Sequence, residues 1–182
     1  MTPDDFKKRW LTKTGDLTPE MYHLANFSEA QFIGLTLPEE VLGFLKVGLP
    51  RTAYPLFAFG NEVGALLQRA CETYKLPQIY QKYIVIGIYE YGIICIDSLS
   101  HGIFFINPDE NSVLFVNDSL ISCLQFLLIY RDFREKAWIT RDKVKFYNLM
   151  SATKDTLEKI DSKGFNGPIW KNQVSDYYWT RP

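Results

Sequence analysis

Between residues 84 and 128 the chain alternates four short apolar runs with turn signals and then enters a helical pattern without a break. The runs are Ile84-Val85-Ile86-Gly87, Ile93-Ile94-Cys95-Ile96-Asp97, Gly102-Ile103-Phe104-Phe105-Ile106-Asn107 and Val113-Leu114-Phe115-Val116-Asn117, and Ser119 to Tyr130 follows them. Runs this short, rich in β-branched and aromatic residues and bounded by Gly, Asn, Asp and Pro, read as strands. Their connections are Tyr89-Glu90-Tyr91-Gly92, Ser98-Leu99-Ser100-His101-Gly102 and Asn107-Pro108-Asp109-Glu110-Asn111. These are too short for the crossovers that parallel strands need, so they predict an antiparallel meander. In the third run both alternating sets are apolar, Ile103 and Phe105 against Phe104 and Ile106, so neither sheet face is freely solvated. The expectation is an α+β fold: a central, mostly antiparallel sheet of a four-strand meander plus a possible extra strand, packed by N- and C-terminal helices.

Helix signals flank this sheet. Thr2 can cap a first helix, with Pro3 at its first position, Asp5 as the capping-box acid, and Phe6 and Trp10 on one face. A second helix of about 11 residues is expected from Thr36 as N-cap, with Pro38 in its first turn, Glu39 three residues on, the apolar residues Val41, Leu42, Phe44 and Leu45, and Gly48 and Pro50 as its end. Leu56 to Phe59 suits a short strand. The series Val63, Leu66, Leu67, Ala70, Cys71 and Tyr74 has amphipathic helical spacing, with Asn61 as a cap and Pro77 beyond its end. Ser119 to Phe133, capped by Asn117 or Asp118, is apolar around more than half its circumference and should be central. Two or three more helices are expected around Arg141 to Met150, Lys154 to Asp161 and Trp170 to Trp179, separated by Gly164 and Gly167-Pro168. No internal repeat or linker divides the chain, so one domain over 1–182 is expected.

A chain of 182 residues buries roughly 70% of its unfolded surface and needs no cofactor or disulfide to hold its core. Twenty basic residues against 21 acidic ones leave a net charge of -1, without the excess that phosphate-backbone binding demands, so nucleic acid is not an expected direct ligand. The N-terminus has no apolar targeting core, and no apolar run approaches the roughly 18 residues of a membrane span. A cytoplasmic protein without membrane contact is expected. Cys71, Cys95 and Cys123 are odd in number and more than twenty residues apart, which fits neither a disulfide framework nor a redox motif. Structural zinc sites carry closely spaced ligand pairs, and these cysteines with His23 or His101 do not.

The chemistry-bearing residues do not form a catalytic constellation. Asp97, Ser98, Ser100 and His101 are sequence neighbours, whereas a hydrolase triad is assembled from separate segments with an oxyanion hole; Asp97 is better read as a turn-former that accepts backbone N–H bonds across residues 98–102. Glu90 with Asp97 or Glu110 is a conceivable glycosidase pair only on a geometry that sequence does not fix. Gly87, Gly92 and Gly102 lack the spacing of a phosphate loop. The mixed-sign run Arg131-Asp132-Phe133-Arg134-Glu135-Lys136 reads as a solvated helix end.

Several stretches, in order, resemble the SUKH superfamily of Smi1/Knr4-like and Syd-like domains, and within it a bacterial immunity-protein branch. They are Phe44-Leu45-Lys46-Val47-Gly48-Leu49-Pro50; Tyr83-Ile84-Val85-Ile86-Gly87 with Gly92-Ile93-Ile94-Cys95-Ile96-Asp97; Phe115-Val116-Asn117-Asp118-Ser119-Leu120 leading into Phe126-Leu127-Leu128-Ile129-Tyr130; and Leu157-Glu158-Lys159-Ile160-Asp161 before Ile169-Trp170. The helix near residues 61–75 and the tail after Val174 read as elaborations. The resemblance implies a sheet packed by helices and a non-enzymatic role, in which the domain binds and neutralises a cognate polymorphic toxin. It carries no catalytic, cofactor or metal residues. The alternative is a regulatory protein–protein interaction hub without a toxin partner. Either way the expected partner is a protein, with the chain itself a monomer or weak dimer. The expected contact residues are Tyr89, Glu90 and Tyr91 at one hairpin tip and Asp109 and Glu110 at the next turn, where tyrosine offers area at low entropic cost and carboxylates steer a complementary surface. The cysteine spacing makes a direct prediction: thiol titration of the denatured protein should find all three thiols, and metal analysis should find no stoichiometric zinc.

Overall fold

The computed structural model describes residues 1–12, 22–53, 57–59, 67–171 and 173–174. In chain order its elements are α1 (Pro3–Leu11), β1 (Leu24–Ala25), a 3-10 helix (Glu29–Phe32), α2 (Glu39–Val47), β2 (Leu49–Pro50), β3 (Thr52–Ala53), β4 (Phe57–Ala58), α3 (Ala70–Thr73), a second 3-10 helix (Gln78–Lys82), β5 (Tyr83–Tyr89), β6 (Gly92–Asp97), β7 (Ile103–Asn107), β8 (Ser112–Asn117), α4 (Leu120–Ile139), α5 (Lys143–Ile160) and α6 (Ser162–Phe165).

The four apolar runs pair with their sequence neighbours, as their short connections require. They form the larger part of a six-stranded antiparallel sheet ordered β3-β4-β5-β6-β7-β8, while β1 and β2 form a separate two-stranded ribbon. The extra strand expected near Leu56 to Phe59 is β4; Leu56 itself lies outside the described residues. Register shifts between Val85 and Gly87 and between Ile103 and Phe104 mark bulges that bend the ladder. Alternate residues of β7 show why both faces had to be covered. Phe105 belongs to one aromatic cluster, with Tyr89, Phe57, Trp170 and Phe126 linked in sequence at centroid distances of 5.1–5.7 Å. Phe104 belongs to another, between Tyr83 and Phe115, and Tyr80 of the second 3-10 helix packs on Tyr83.

The helices follow their caps with several corrections. α1 has the expected capping box, with Asp5 N–H donating to Thr2 Oγ1 (3.1 Å) and Thr2 N–H to Asp5 Oδ2 (3.2 Å). α2 does not start at Thr36. Pro38 is extended (φ -56°, ψ 146°) and occupies the cap position, which keeps the residues before it out of the helix, and the first helical bond is Leu42 N–H to Pro38 O. α4 is capped by Ser119 rather than Asn117 or Asp118, through a reciprocal pair in which Ser122 N–H donates to Ser119 Oγ and Ser119 N–H to Ser122 Oγ, both at 3.1 Å. It also runs on to Ile139, so the charged run is helix interior: Arg131 and Glu135 are buried. Arg131 donates to the carbonyls of Trp10 and Arg9, and Glu135 accepts from Tyr22.

The two helices expected over 141–161 are one. No breaker interrupts Met150 to Lys154, and the buried stripe Phe146, Thr153 and Leu157 keeps helical phase through the junction. The amphipathic series before Pro77 is not one helix. Residues 61–66 lie outside the described residues, residues 67–69 lie against β5 through Leu67 N–H to Val85 O, Val85 N–H to Gln68 O and an Arg69–Ile84 bridge, and only Ala70–Thr73 is helical. Sheet pairing outcompeted a weak helical pattern. Of the helix expected from Trp170, residue 172 and residues 175–182 lie outside the described residues, while Trp170 stands in a turn, fully buried.

α4 is the largest apolar body against the sheet, with Leu120, Cys123, Leu124, Phe126, Leu127 and Leu128 all at 0–1% exposure. Replacing Leu124 by alanine should therefore cost about 2–5 kcal/mol of folding free energy, read as a lowered denaturation midpoint with an unchanged denaturant slope.

Candidate interaction site

Two of the meander's turns leave the sheet at the same end. Tyr89 pairs with Gly92, which puts Glu90 and Tyr91 at the apex of the β5–β6 hairpin, and Asn107 pairs with Ser112, which puts residues 108–111 at the apex of β7–β8. The apices are two strand spacings apart, about 10 Å. Glu90, Tyr91, Asp109 and Glu110 are all exposed, Tyr91 to 85%. Three carboxylates and a tyrosine thus share one rim, and neither turn contributes a cation.

Tyr89 is placed differently. It is the last residue of β5, its ring packs 5.1 Å from Phe57 and 5.7 Å from Phe105, and it is 6% exposed. Burial, with Glu90 beside it, pushes its phenol up to about 12. Tyr89 therefore anchors the tip from inside, and Tyr91 is the tyrosine a partner would meet. On the partner strand Gly92 lies under the Phe105 ring, where a Cβ would overlap ring atoms. The second apex is held by Asp109 N–H donating to Asn107 Oδ1 (3.1 Å) and by Tyr80 Oη donating to Asn111 O (2.9 Å). Glu90 and Asn111 each adopt φ 49°, left-handed backbone that is strained for a residue with a side chain.

The opposite end of the sheet carries the residues that looked most chemical. Asp97 is 2% exposed, and its Oδ1 accepts from Leu99 N–H (2.9 Å) and Ser100 N–H (3.4 Å), as a turn-former does. Its Oδ2 takes Lys82 Nζ at 2.7 Å. Ser98, Ser100 and His101 make the turn rather than a relay: Ser98 N–H donates to Lys82 O, His101 N–H to Asp97 O, and Ser100 Oγ accepts from Gly102 N–H. Glu90 and Asp97 flank the whole of β6, roughly 17 Å apart, and Glu110 is exposed with Glu90 on the turn tips, so no pair of these carboxylates faces a common pocket.

Beside Asp97 opens a groove of about 470 Å³, walled by Gly34 to Thr36, by Arg69, by Gln78, Ile79, Gln81 and Lys82 of the second 3-10 helix, and by Ile84, Ser98 and Leu99. Nothing in the sequence pattern led to this groove. One signal was available: in the register of the β5–β6 hairpin Tyr83 faces Asp97, so Lys82 stands next to an acid on the neighbouring strand.

Cys95 and Cys123 are buried, which pushes both thiols up and leaves them unreactive. Among the described residues no three His, Cys, Asp or Glu side chains are placed to hold a metal ion, and no helix is long and apolar enough to cross a membrane.

Burial alone would push the Asp97 carboxyl up, but the Lys82 ammonium and the Leu99 and Ser100 N–H groups outweigh it and hold the carboxyl below its usual range. An acid depressed in the folded state adds stability above its unfolded pKa, and that stability is lost as pH falls through the folded value. Asp97→Ala should cost about 1–3 kcal/mol at pH 7. The stability difference from wild type should shrink steadily below pH ~4 in pH-dependent denaturation curves.

A family model of the SUKH-4 immunity proteins matches residues 17–180, while no curated protein and no solved structure matches the chain. The matched span takes in the whole six-stranded sheet, both acidic turns, the groove and the helices from α2 to α6. The chain therefore belongs to the SUKH-4 immunity protein family, within the SUKH superfamily.

Proposed function

We propose that this protein neutralises a cognate toxin domain by non-covalent binding, in the cytoplasm of the cell that makes the toxin. The observation that carries the reading is the family match over nearly the whole chain. Immunity families of this kind are typically non-enzymatic, so protection depends on affinity and on where the partner's surface is covered.

The contact surface we assign is the rim formed by Glu90, Tyr91, Asp109 and Glu110, with Tyr89 as its buried support. Three features favour it. The side chains converge at one sheet end although they come from separate hairpins. Tyr91 projects almost fully into solvent, the form in which an aromatic anchor awaits a partner. Glu90 occupies a left-handed position where glycine would sit without strain, so its carboxylate is present at a cost in stability. Such a rim suits a toxin surface of positive potential.

Reversing both rim acids, Glu90→Lys with Glu110→Lys, should slow association with the toxin by about tenfold at low salt, with the effect fading as salt is raised and the dissociation rate nearly unchanged. Both positions are exposed, so the denaturation midpoint should stay close to wild type. Stopped-flow binding to a catalytically inactivated toxin domain, alongside survival of cells expressing the active toxin, measures both. Equal association rates at low salt would move the interface off this rim.

A further inference from the structure

The groove at the other end of the sheet has features that the rim does not explain. Ile79 and Leu99 on its wall are 76% and 77% exposed, and Ile33, next to the wall residue Gly34, is 83% exposed. Single exposed aliphatics are ordinary, but Ile79 and Leu99 stand on the wall of one concavity beside Leu35 and Ile84, a patch of the kind that marks a contact. Two cations share the same wall, and each is pinned from within the fold. Arg69 Nη1 donates to Gln81 O at 2.6 Å, which uses one of its five donors, and Lys82 Nζ donates to Asp97 at 2.7 Å, which uses one of its three. The remaining donors are held in place without a partner chain, so a ligand does not have to order two long flexible side chains. Among the described residues, Arg69 and Lys82 of the wall are set against one carboxylate, that of Asp97, an excess of positive charge and the reverse of the acidic rim.

We propose that this groove seats an acidic segment of the toxin, with carboxylates against Arg69 and Lys82 and an aliphatic side chain between Ile79 and Leu99; the proposal rests on the immunity reading above. Nucleic acid fits less well, because Leu35, Ile79, Ile84 and Leu99 give the wall an aliphatic side and the chain as a whole is slightly acidic. One partner can reach both ends. The 3-10 helix that walls the groove also holds the β7–β8 turn through Tyr80 and Asn111, and the sheet is only roughly 17–20 Å long, within the span of a standard interface. Opposite charges at the two ends would then fix the orientation of the toxin, since turning it around would set like charges against each other.

The test compares wild type with Ile79→Asp, Leu99→Asp and Arg69→Gln for binding to the purified, catalytically inactivated toxin domain, with thermal midpoints as the folding control. Each aspartate should weaken binding by about 30-fold or more, mainly through faster dissociation, and Arg69→Gln should reduce the salt dependence. A wild type that binds the toxin, with both aspartate variants within about threefold of it, overturns the groove and leaves the immunity reading standing. A wild type that neither binds nor protects cells overturns the immunity reading and removes the groove's occupant with it. An arm without toxin titrates methyl-labelled protein with the peptide acetyl-Glu-Leu-Asp-Leu-amide and with its Gln/Asn analogue. Shifts at the Ile79 and Leu99 methyls with the acidic peptide alone support the proposal; no shifts, or equal shifts with the Gln/Asn analogue, with inorganic phosphate or with a single-stranded oligonucleotide, overturn it.

Discussion

The carboxylate of Asp161 ties together the ends of several elements of this fold. It accepts from Asn117 Nδ2 (3.0 Å) and Asp118 N–H (2.8 Å) at the end of the last strand, and from Gly164 N–H (2.7 Å) at the start of α6. Asn117 turns its other amide atom to Trp170, whose Nε1–H donates to Asn117 Oδ1 at 3.0 Å. The last strand, the start of α4, the end of α5 and the tryptophan at the centre of the aromatic cluster therefore share one network, and its side chains are nearly inaccessible to solvent. In so dry a site every unmade bond costs its full desolvation, so these elements must dock together or not at all. Gly164 is part of the same condition: a Cβ there would stand 2.5 Å from Asp161 Oδ2 and 2.7 Å from Asn117 Nδ2. Burial and the nearby Asp161 charge push the Asp118 carboxyl up, the electrostatic cost of setting a second acid beside the network.

The strands were legible because their evidence is local. Runs of β-branched and aromatic residues, separated by turns of two to five residues, allow little besides a meander, and the pairing follows. Helix boundaries were less legible because distant partners decide them. Asn117 looks like a cap, yet Trp170 and Asp161 claim its amide, and the cap passes to Ser119. The series around Leu67 to Tyr74 has helical spacing, yet the open edge of β5 offers backbone partners at Val85 and Ile84 and takes residues 67–69 from the helix. Arg131 and Glu135 looked solvated because nothing near them in sequence shows that α1 and Tyr22 pack over that face of α4, where the Arg131 guanidinium lies 5.0 Å from the Trp10 ring and 5.7 Å from that of Tyr22.

The same division runs through the candidate interaction site. A hairpin tip is a local object, so Glu90, Tyr91, Asp109 and Glu110 could be placed on the surface from turn chemistry alone. Tyr89 shows the limit of that reasoning: one residue decides whether a side chain belongs to the apex or to the last inward position of a strand, and the alternation of β5 turns it into the core. The groove was not legible because its wall comes from five stretches of chain, from Gly34 to Leu99, whose convergence exists only after the sheet has formed.

This layout separates what holds the fold from what a partner would read. Tyr89, Gly92 and the Tyr80–Asn111 bond fix the backbone of the acidic rim from behind, while Glu90, Tyr91, Asp109 and Glu110 project from it into solvent. Exposed substitutions away from caps and special backbone positions usually change stability by only about 0.5 kcal/mol in either direction, so Tyr91, Asp109 and Glu110 can change without disturbing the Asp161 network or the aromatic cluster. The groove obeys the same rule at Ile79 and Leu99 but not at Asp97, whose carboxylate holds both the turn and Lys82. A scaffold of this kind can keep one core while its exposed residues change, which is the physical requirement on any binding protein that must match one partner and ignore others.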